Sequence, residues 1–259
     1  MKIATFNING IKARVNALSA WLDEAQPDVA LLQEIKSVDE AFPKEFIEER
    51  GYNVVTHGQK SFNGVAILSK LPVEDLIIGL PGDAGDEQAR WIEATIVGRQ
   101  ALRVCGLYLP NGNPAPGPKF DYKIAWMERF YIRAKALIED ELPALMAGDY
   151  NIIPQKEDAA YPNQWINDAL FLPASREAFR KIMALGFTEA FRTMHAGPGH
   201  YSFWDYQAGA WNRNDGIRID HILMTPACAD MLLECAIDKY VRDREKPSDH
   251  VPLWIRLDN

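Results

Sequence analysis

Positive charge is in short supply in this sequence: 28 Lys and Arg stand against 36 Asp and Glu, a formal net charge of −8. A protein that reads nucleic-acid backbone usually carries a basic excess, so the total weighs weakly against that class. An enzyme that gathers acidic groups in one place lowers its net charge without losing a basic face, so the class stays open. Cysteine is scarce too. Cys105, Cys228 and Cys235 are odd in number and have neither C-x-x-C nor zinc spacing. They are expected as small packed hydrophobes of a reduced, cytoplasmic protein. No apolar run approaches the length that spans a bilayer, and "MKIATFNING" turns polar at Asn7, too early for the apolar stretch of a signal peptide. No membrane role is expected. G-x-G-x-x-G and G-x-x-x-x-G-K-[ST] are absent, which argues against dinucleotide cofactors and nucleoside-triphosphate motors. There is no G-x-S-x-G turn. Ser248, Asp249 and His250 are consecutive, and chain neighbours do not readily converge as nucleophile, orienter and base.

What is present suits one large domain over residues 1–259. Hydrophobic residues make up 47% and aromatics 10%, enough to fill a substantial core, and no repeat or low-complexity block divides the chain. Short apolar runs predict strands: "KIATFNI", "DVALLQE", "YNVVTH", "GVAILS", "DLIIGL", "WIEATIV", "LRVCGLYLP", "PALMAGD", "HYSFWDY", "RIDHILM" and "HVPLWIRL". Val15, Leu18, Trp21, Leu22 and Ala25 share a helical face, 119–141 is long enough for the dominant helix, and 175–185 reads as another ending at Gly186. Strands outnumber helices and several follow one another as hairpins. The expected fold class is therefore α/β (α+β), with two packed sheets flanked by helices. "PNGNPAPGPK" (110–119) reads as a stiff surface loop within the domain.

Several apolar strands end in polar groups that a buried strand does not need. Asn7 ends one, Glu34 another, Tyr108 and Asn111 a third, and Asp149 and Asn151 a fourth. Asp220 sits among Ile residues, where a carboxylate is costly to bury unless something positive or hydrogen-bonded meets it. Asp249 and His250 open the last strand. Singly, most of these read as turn formers, caps or solvated strand ends. Jointly, acids, amides, a Tyr and a His on one rim read as a site. Oxygen ligands without a Cys or His cluster suit a hard ion such as Mg²⁺, with Mn²⁺ a substitute. Such an ion polarises a phosphoryl oxygen, and a histidine with its own carboxylate donates to that oxygen or moves protons. The set describes metal-assisted phosphodiester hydrolysis.

The segments "TFNINGIKAR", "LLQEIK", "YLPNG", "GDYNIIP", "YSFWDY", "GIRIDHIL" and "SDHVPL" resemble the exodeoxyribonuclease III group of the exonuclease–endonuclease–phosphatase superfamily, in that family's order across residues 5–253. The resemblance implies a four-layer sandwich of two mixed sheets between helical layers, with the site where strand ends of both sheets meet. It implies Glu34 as the main metal ligand, Asn7 beside it and Asp249 supporting the metal or the histidine region. Asp149 would position or deprotonate the attacking water, with Asn151 holding the water or the phosphate; these two and His250 would also border the ion. His250 would contact the scissile phosphate, oriented by Asp220, and Tyr108 and Asn111 would bind that phosphate as well. The implied partner is double-stranded DNA with abasic sites or 3′ ends, met by a monomer that associates with the nucleoid through DNA.

Within "YSFWDY", Phe203 is the expected wall of a pocket for a flipped-out abasic sugar. Trp204 is a further candidate, and Ile217 stands where some relatives carry an aromatic residue. Arg90, Lys119, Lys123, Arg213 and Arg218 lie in or beside rim loops and are candidates for backbone phosphates. The expected function is a DNA repair nuclease that incises 5′ to abasic sites or trims 3′ ends. The alternatives are a small-molecule phosphoesterase of the same superfamily, or a damage binder that has lost catalysis. The intact set Glu34, Asp149, Asn151, Asp220 and His250 speaks against the last.

Overall fold

The computed structural model of the chain describes residues 1–259. Twelve strands follow one another along the chain: β1 (Lys2–Asn7), β2 (Val29–Gln33), β3 (Asn53–His57), β4 (Val65–Ser69), β5 (Val73–Ile78), β6 (Trp91–Val97), β7 (Ala101–Tyr108), β8 (Ala144–Asp149), β9 (Thr188–Glu189), β10 (Asp220–Met224), β11 (Leu232–Ile237) and β12 (Leu253–Leu257). The helices are α1 (Ile11–Ala25), α2 (Lys44–Glu48), α3 (Pro118–Glu139), α4 (Pro173–Met183), α5 (Ala190–Met194), α6 (Ala210–Arg213) and α7 (Pro226–Ala229). One sheet has the order β11-β12-β1-β2-β4-β3 and the other β5-β6-β7-β8-β10-β9. Only β1–β2 and β7–β8 pair in parallel, and each parallel pair is joined by its own helix, α1 or α3. This is the expected sandwich of two mixed sheets with flanking helices. No helix is long and apolar enough to cross a membrane.

The sheets share one core. Ile3, Val29, Leu31, Val65 and Ile67 of the first pack with Ile92, Val104, Leu145, Ala147 and Ile222 of the second. Strands such as β2 and β8 are buried along their whole length, as apolar runs sandwiched on both faces must be. On the outer faces, α1 buries Leu18, Trp21 and Leu22, while α3 buries Trp126, Met127, Phe130, Ala134 and Leu137 at helical spacing. α1 stops where Gln26 turns left-handed ahead of Pro27, and α3 starts with Pro118 in its first turn. Gly148 is required in β8, because a Cβ there would run into the Leu107 carbonyl of the parallel neighbour.

Three strand expectations change, one of them because β9 has only two residues and is too short to show as an apolar run. "HYSFWDY" forms no ladder: Phe203 makes isolated bridges to Ile217 and His250, and the rest of the segment is loop. β11 was not legible as an apolar run, because Leu233 and Glu234 lie exposed within it; it is an edge strand, where one buried face suffices.

A buried ionic network ties the outer end of the second sheet together. Arg218 bonds Asp158 at 2.8 Å and Glu189 at 2.8 Å, Arg192 bonds Asp158 at 2.5 Å, and His221 Nδ1 lies 3.0 Å from Arg218. Burial by itself would raise Glu189; Arg218 and then His221 outweigh it and hold its carboxyl down from 4.5 to about 2. A depressed carboxyl pKa stabilises the fold above the unfolded value, and that stability drains as pH falls from about 4.5 through about 2. The contribution is on the order of 3 kcal/mol at neutral pH. Denaturant unfolding followed between pH 5 and pH 2 is therefore expected to lose about that much more in the wild type than in Glu189→Gln. Parallel pH profiles for the two would contradict the assignment.

Candidate active site

Both helix-linked parallel pairs deliver polar residues at the carboxyl ends of their strands, where ligands meet such units. Asn7 ends β1 and Glu34 follows β2; Tyr108 ends β7 and Asp149 ends β8. Tyr108 is in register with Asp149, and Asp149 with Asp220, so three adjacent strands align these side chains. Asp249 and His250 arrive just before β12. Glu34, Tyr108, Asp149, Asp249 and His250, together with Asn111, Asn151, Phe203 and others, line a cleft of about 370 Å³, while Asn7 and Asp220 lie buried behind its wall. A larger cavity of about 610 Å³, between α1 and Arg244–Lys246, holds none of this chemistry.

Like charges directly opposite on neighbouring strands repel, and Asp149 and Asp220 are such a pair. His250 relieves them. Its Nδ1 lies 2.8 Å from Asp220 Oδ2 and its Nε2 3.6 Å from Asp149 Oδ2. Burial alone would lower the imidazole; Asp220 and then Asp149 outweigh it and raise it, so the ring is held protonated. Asp149 is itself raised, by burial first and then by Asp220 and Glu34, against the pull of His250. A carboxylate pushed towards neutrality beside a protonated imidazole is a matched base and donor.

Asn7 joins the sheets. Its fully buried amide donates to Glu34 Oε1 at 3.0 Å and to Asp149 Oδ2 at 2.9 Å, while its Oδ1 accepts from the Asn9 backbone at 3.0 Å. The amide thus turns its nitrogen towards both carboxylates and lies directly beside Glu34. Glu34 adopts a left-handed φ of 49°, a conformation that persists in a non-glycine residue only where surroundings impose it. Burial would raise its carboxyl; the Asn7 amide and Lys36, 2.7 Å away, outweigh it and keep it ionised. Asp249 Oδ1 accepts from Asn9 Nδ2 at 3.1 Å. Burial, then Glu34 and Asp149, raise Tyr108, which stays a neutral hydroxyl donor.

Asn151, also left-handed at φ 47°, commits its amide to the neighbouring loop. Its Nδ2 donates to Leu109 O at 2.9 Å and its Oδ1 accepts from Asn111 Nδ2 at 3.0 Å. One lone pair of that oxygen remains for the cleft. Lys123 belongs to this brace and not to the DNA rim. It is fully buried, and its ammonium donates to the carbonyls of Asn111 at 3.1 Å and Asn151 at 2.6 Å. Its place in the sequence announced this, since it falls on the same stripe of α3 as Met127 and Phe130. Burial pulls it down to about 7 despite Asp149 and Asp168.

Three other expected DNA contacts are also corrected. Arg218 is 1% exposed and committed through Nε and Nη1 to Asp158, Glu189 and His221, so it is a buried structural cation and not a contact on the rim of the cleft. Trp204 is fully buried against Trp211 and the α1 layer. Ile217 is 1% exposed in an apolar cluster behind Phe203 and forms no part of the cleft wall. Phe203 does line the cleft, edge-on to His250 at 5.0 Å between ring centres. Arg90 and Lys119 flank a groove of about 420 Å³ that continues from the cleft through Asn111 and Asn113. Arg213 is exposed on α6 and paired with Asp215 at 3.2 Å. Sequence reasoning missed Asn113, Trp165, Asp168, Leu170, Asp205 and Ile219, which complete the cleft. Asn113 Nδ2 donates to Asp168 at 3.0 Å, and the Trp165 indole N–H has no partner. Only the lone Trp in a turn-rich segment could have flagged this wall.

Six carboxylates (Glu34, Asp149, Asp168, Asp205, Asp220, Asp249) lie in or directly behind the cleft, against the cations His250 and Lys36. Asp220 Oδ1 is buried without a partner. That surplus would repel a phosphate and suits a hard cation. No three His, Cys, Asp or Glu side chains enclose an ion by themselves, which fits a cation that takes one or two carboxylates and keeps its waters.

Two packed mixed sheets meeting over this acidic cleft define a class, and the chain belongs to the Endonuclease/Exonuclease/phosphatase family, whose model matches residues 4–250. Among curated proteins it is 37% identical to exodeoxyribonuclease III of Haemophilus influenzae, over 98% of each chain. It is 28% identical to a DNA repair nuclease of Danio rerio, over 99% of this chain and 82% of that one. An AP endonuclease from Archaeoglobus fulgidus superimposes with a TM-score of 0.95 at 38% identity, covering both chains fully. A 3′ phosphatase from Neisseria, solved with a product DNA hairpin, does so with a TM-score of 0.95 at 34% identity, again covering both chains fully.

Replacing Lys123 by Met would leave two carbonyls of the site loop without their donor. A buried unsatisfied group costs about 1–3 kcal/mol. Chemical denaturation of Lys123→Met is expected to show a loss in that range; an unchanged midpoint would contradict the bracing role.

Proposed function

We infer that this chain is a metal-dependent DNA repair nuclease that hydrolyses phosphodiesters in duplex DNA. Nucleases of this family are metal-dependent, and the ion proposed here is Mg²⁺, with Mn²⁺ able to replace it. The observation that carries the reading is the His250–Asp220 pair facing Asp149 across a cleft that also presents Glu34.

The ion, held at Glu34 and Asp249, would supply positive charge to a phosphoryl oxygen. Asp149 accepts the proton of the attacking water as the water oxygen bonds to phosphorus. The bond from phosphorus to the 3′-oxygen breaks, and that oxygen leaves and takes its proton from solvent. The Asn7 amide fixes where Asp149 Oδ2 points. His250 donates through Nε2 to the phosphate, with Nδ1 held by Asp220. Tyr108 donates its hydroxyl to the same group. Asn151 and Asn111 hold the loop that closes the cleft. Phe203, Trp165 and Leu170 form an apolar wall that suits a sugar without its base, and enzymes acting on a damaged nucleotide take it out of the stack into such a pocket. Incision 5′ to an abasic site and trimming of 3′ ends are the proposed activities. Arg90 and Lys119 would follow the backbone of the flanking duplex.

The test is strand-resolved cleavage of two duplexes, one with a single abasic site and one intact, with and without Mg²⁺. Cleavage that needs the cation supports the reading, and full cleavage in excess chelator would sink it. Asp220→Asn is expected to lower turnover by up to roughly 10²–10⁴-fold, the usual worth of a placed acid–base group, because His250 loses the carboxylate that orients and charges it, while duplex binding stays close to wild type.

Phe203→Ala and Lys119→Ala are expected to separate on a salt series. The first should narrow the preference for the abasic duplex with the salt slope unchanged. The second should flatten that slope by ~0.9 and leave the preference alone. If both variants move the same quantity, the division into sugar wall and phosphate track is wrong.

A further inference from the structure

A cavity of about 560 Å³ opens between α4, α5 and the turn that follows β8, and it shares no residue with the active cleft. Four guanidinium groups face it, from Arg176, Arg180, Arg192 and Arg218, against the single carboxylate of Glu189. The inner two are spoken for. Arg218 is paired with Asp158 and Glu189, and Arg192 with Asp158 and the Gly197 carbonyl. The outer two are not, since the ion pairs here involve neither Arg176 nor Arg180. Arg176 spends only its Nε, on Pro154 O at 3.0 Å, and lies over the Phe171 ring at 4.6 Å. That stacking holds its plane and leaves both terminal nitrogens free. Arg180 is exposed and makes no side-chain bond.

Arg176 and Arg180 are one helical turn apart, where like charges repel. In a chain of net charge −8, with acidic residues to spare, two unpaired guanidinia over one cavity call for an anion. Forked donors match the oxygens of a phosphate, bidentately and with charge assistance. Met183 and Phe187 supply an apolar floor beside them.

We propose that this cavity is a second phosphate-binding site, outside the catalytic cleft, in which Arg176 and Arg180 hold a phosphate of nucleotide chemistry. The choice of nucleotide chemistry rests on the nuclease reading. The phosphate comes either from a free nucleoside monophosphate or from the flanking strand of bound DNA, and both present the same group to the two arginines.

The test uses the full chain with Arg180→Glu and the double variant Arg176→Ala/Arg180→Ala, after denaturant midpoints show that each folds. Calorimetric titration with inorganic phosphate and thymidine 5′-monophosphate, in chelator, reads the free source. Removing charge-assisted bonds should weaken it about ten-fold or more in both variants. Binding of the abasic duplex across a salt series reads the DNA source, and its slope should flatten by ~0.9 for each backbone phosphate that the variant no longer neutralises. Either result supports the site and says which source fills it. Unchanged anion affinity together with an unchanged salt slope overturns it. Failure of the nuclease reading is distinguishable, because it would abolish duplex cleavage while leaving the phosphate titration as it is.

Discussion

The buried amide of Asn7 is the contact on which the site's geometry depends. Each sheet brings its own acidic group to the junction, Glu34 from the first and Asp149 from the second, and neither strand geometry by itself relates one to the other. Both N–H groups of one side chain reach them, at 3.0 and 2.9 Å. The acceptor end is satisfied by the Asn9 backbone, so the amide cannot turn over without losing three bonds. A donor shared by two carboxylates sets their separation and lowers the cost of keeping them together. An aliphatic residue of similar size would fill the space and leave two buried acids facing each other.

Charge is then distributed in a way the net value conceals. Acidic groups crowd the cleft, with His250 set between Asp149 and Asp220, and the surplus prepares the site for a cation. Much of the positive charge is structural. Arg218 and Arg192 neutralise Asp158 and Glu189, while Arg103 and Arg133 close on the buried Glu93. Unpaired guanidinium and ammonium groups remain at the edges, as at Lys119 and along α4. A protein of net charge −8 thus keeps basic surfaces where a polyanion can meet them.

The two-sheet architecture was legible because apolar runs of strand length are hard to place otherwise, and the helices expected over 119–141 and 175–185 lie within two residues of those bounds, at Pro118–Glu139 and Pro173–Met183. The carboxylates and His250 were legible because a charged or amide group at the end of a buried strand has no structural purpose of its own. Long cations were misread. Lys123 and Arg218 are close in sequence to site residues, and a charged side chain near a rim is exposed by default. Only the stripe of α3 for Lys123, and for Arg218 the distant acids Asp158 and Glu189, show otherwise. The far wall at Trp165 and Asp168 was hidden because its residues come from a turn-rich stretch without periodicity.

A double-mutant cycle between Asn7 and Asp149, read in single-turnover cleavage of the abasic duplex under saturating Mg²⁺, tests the central claim most directly. If the Asn7 amide acts by placing Asp149, then Asn7→Ala should cost much of the rate in the wild type and little once Asp149→Asn has been made, since residues that act as a unit are not additive. Losses that simply multiply would mean that the two side chains act independently, and that the sheets are held in register for catalysis by something other than this amide.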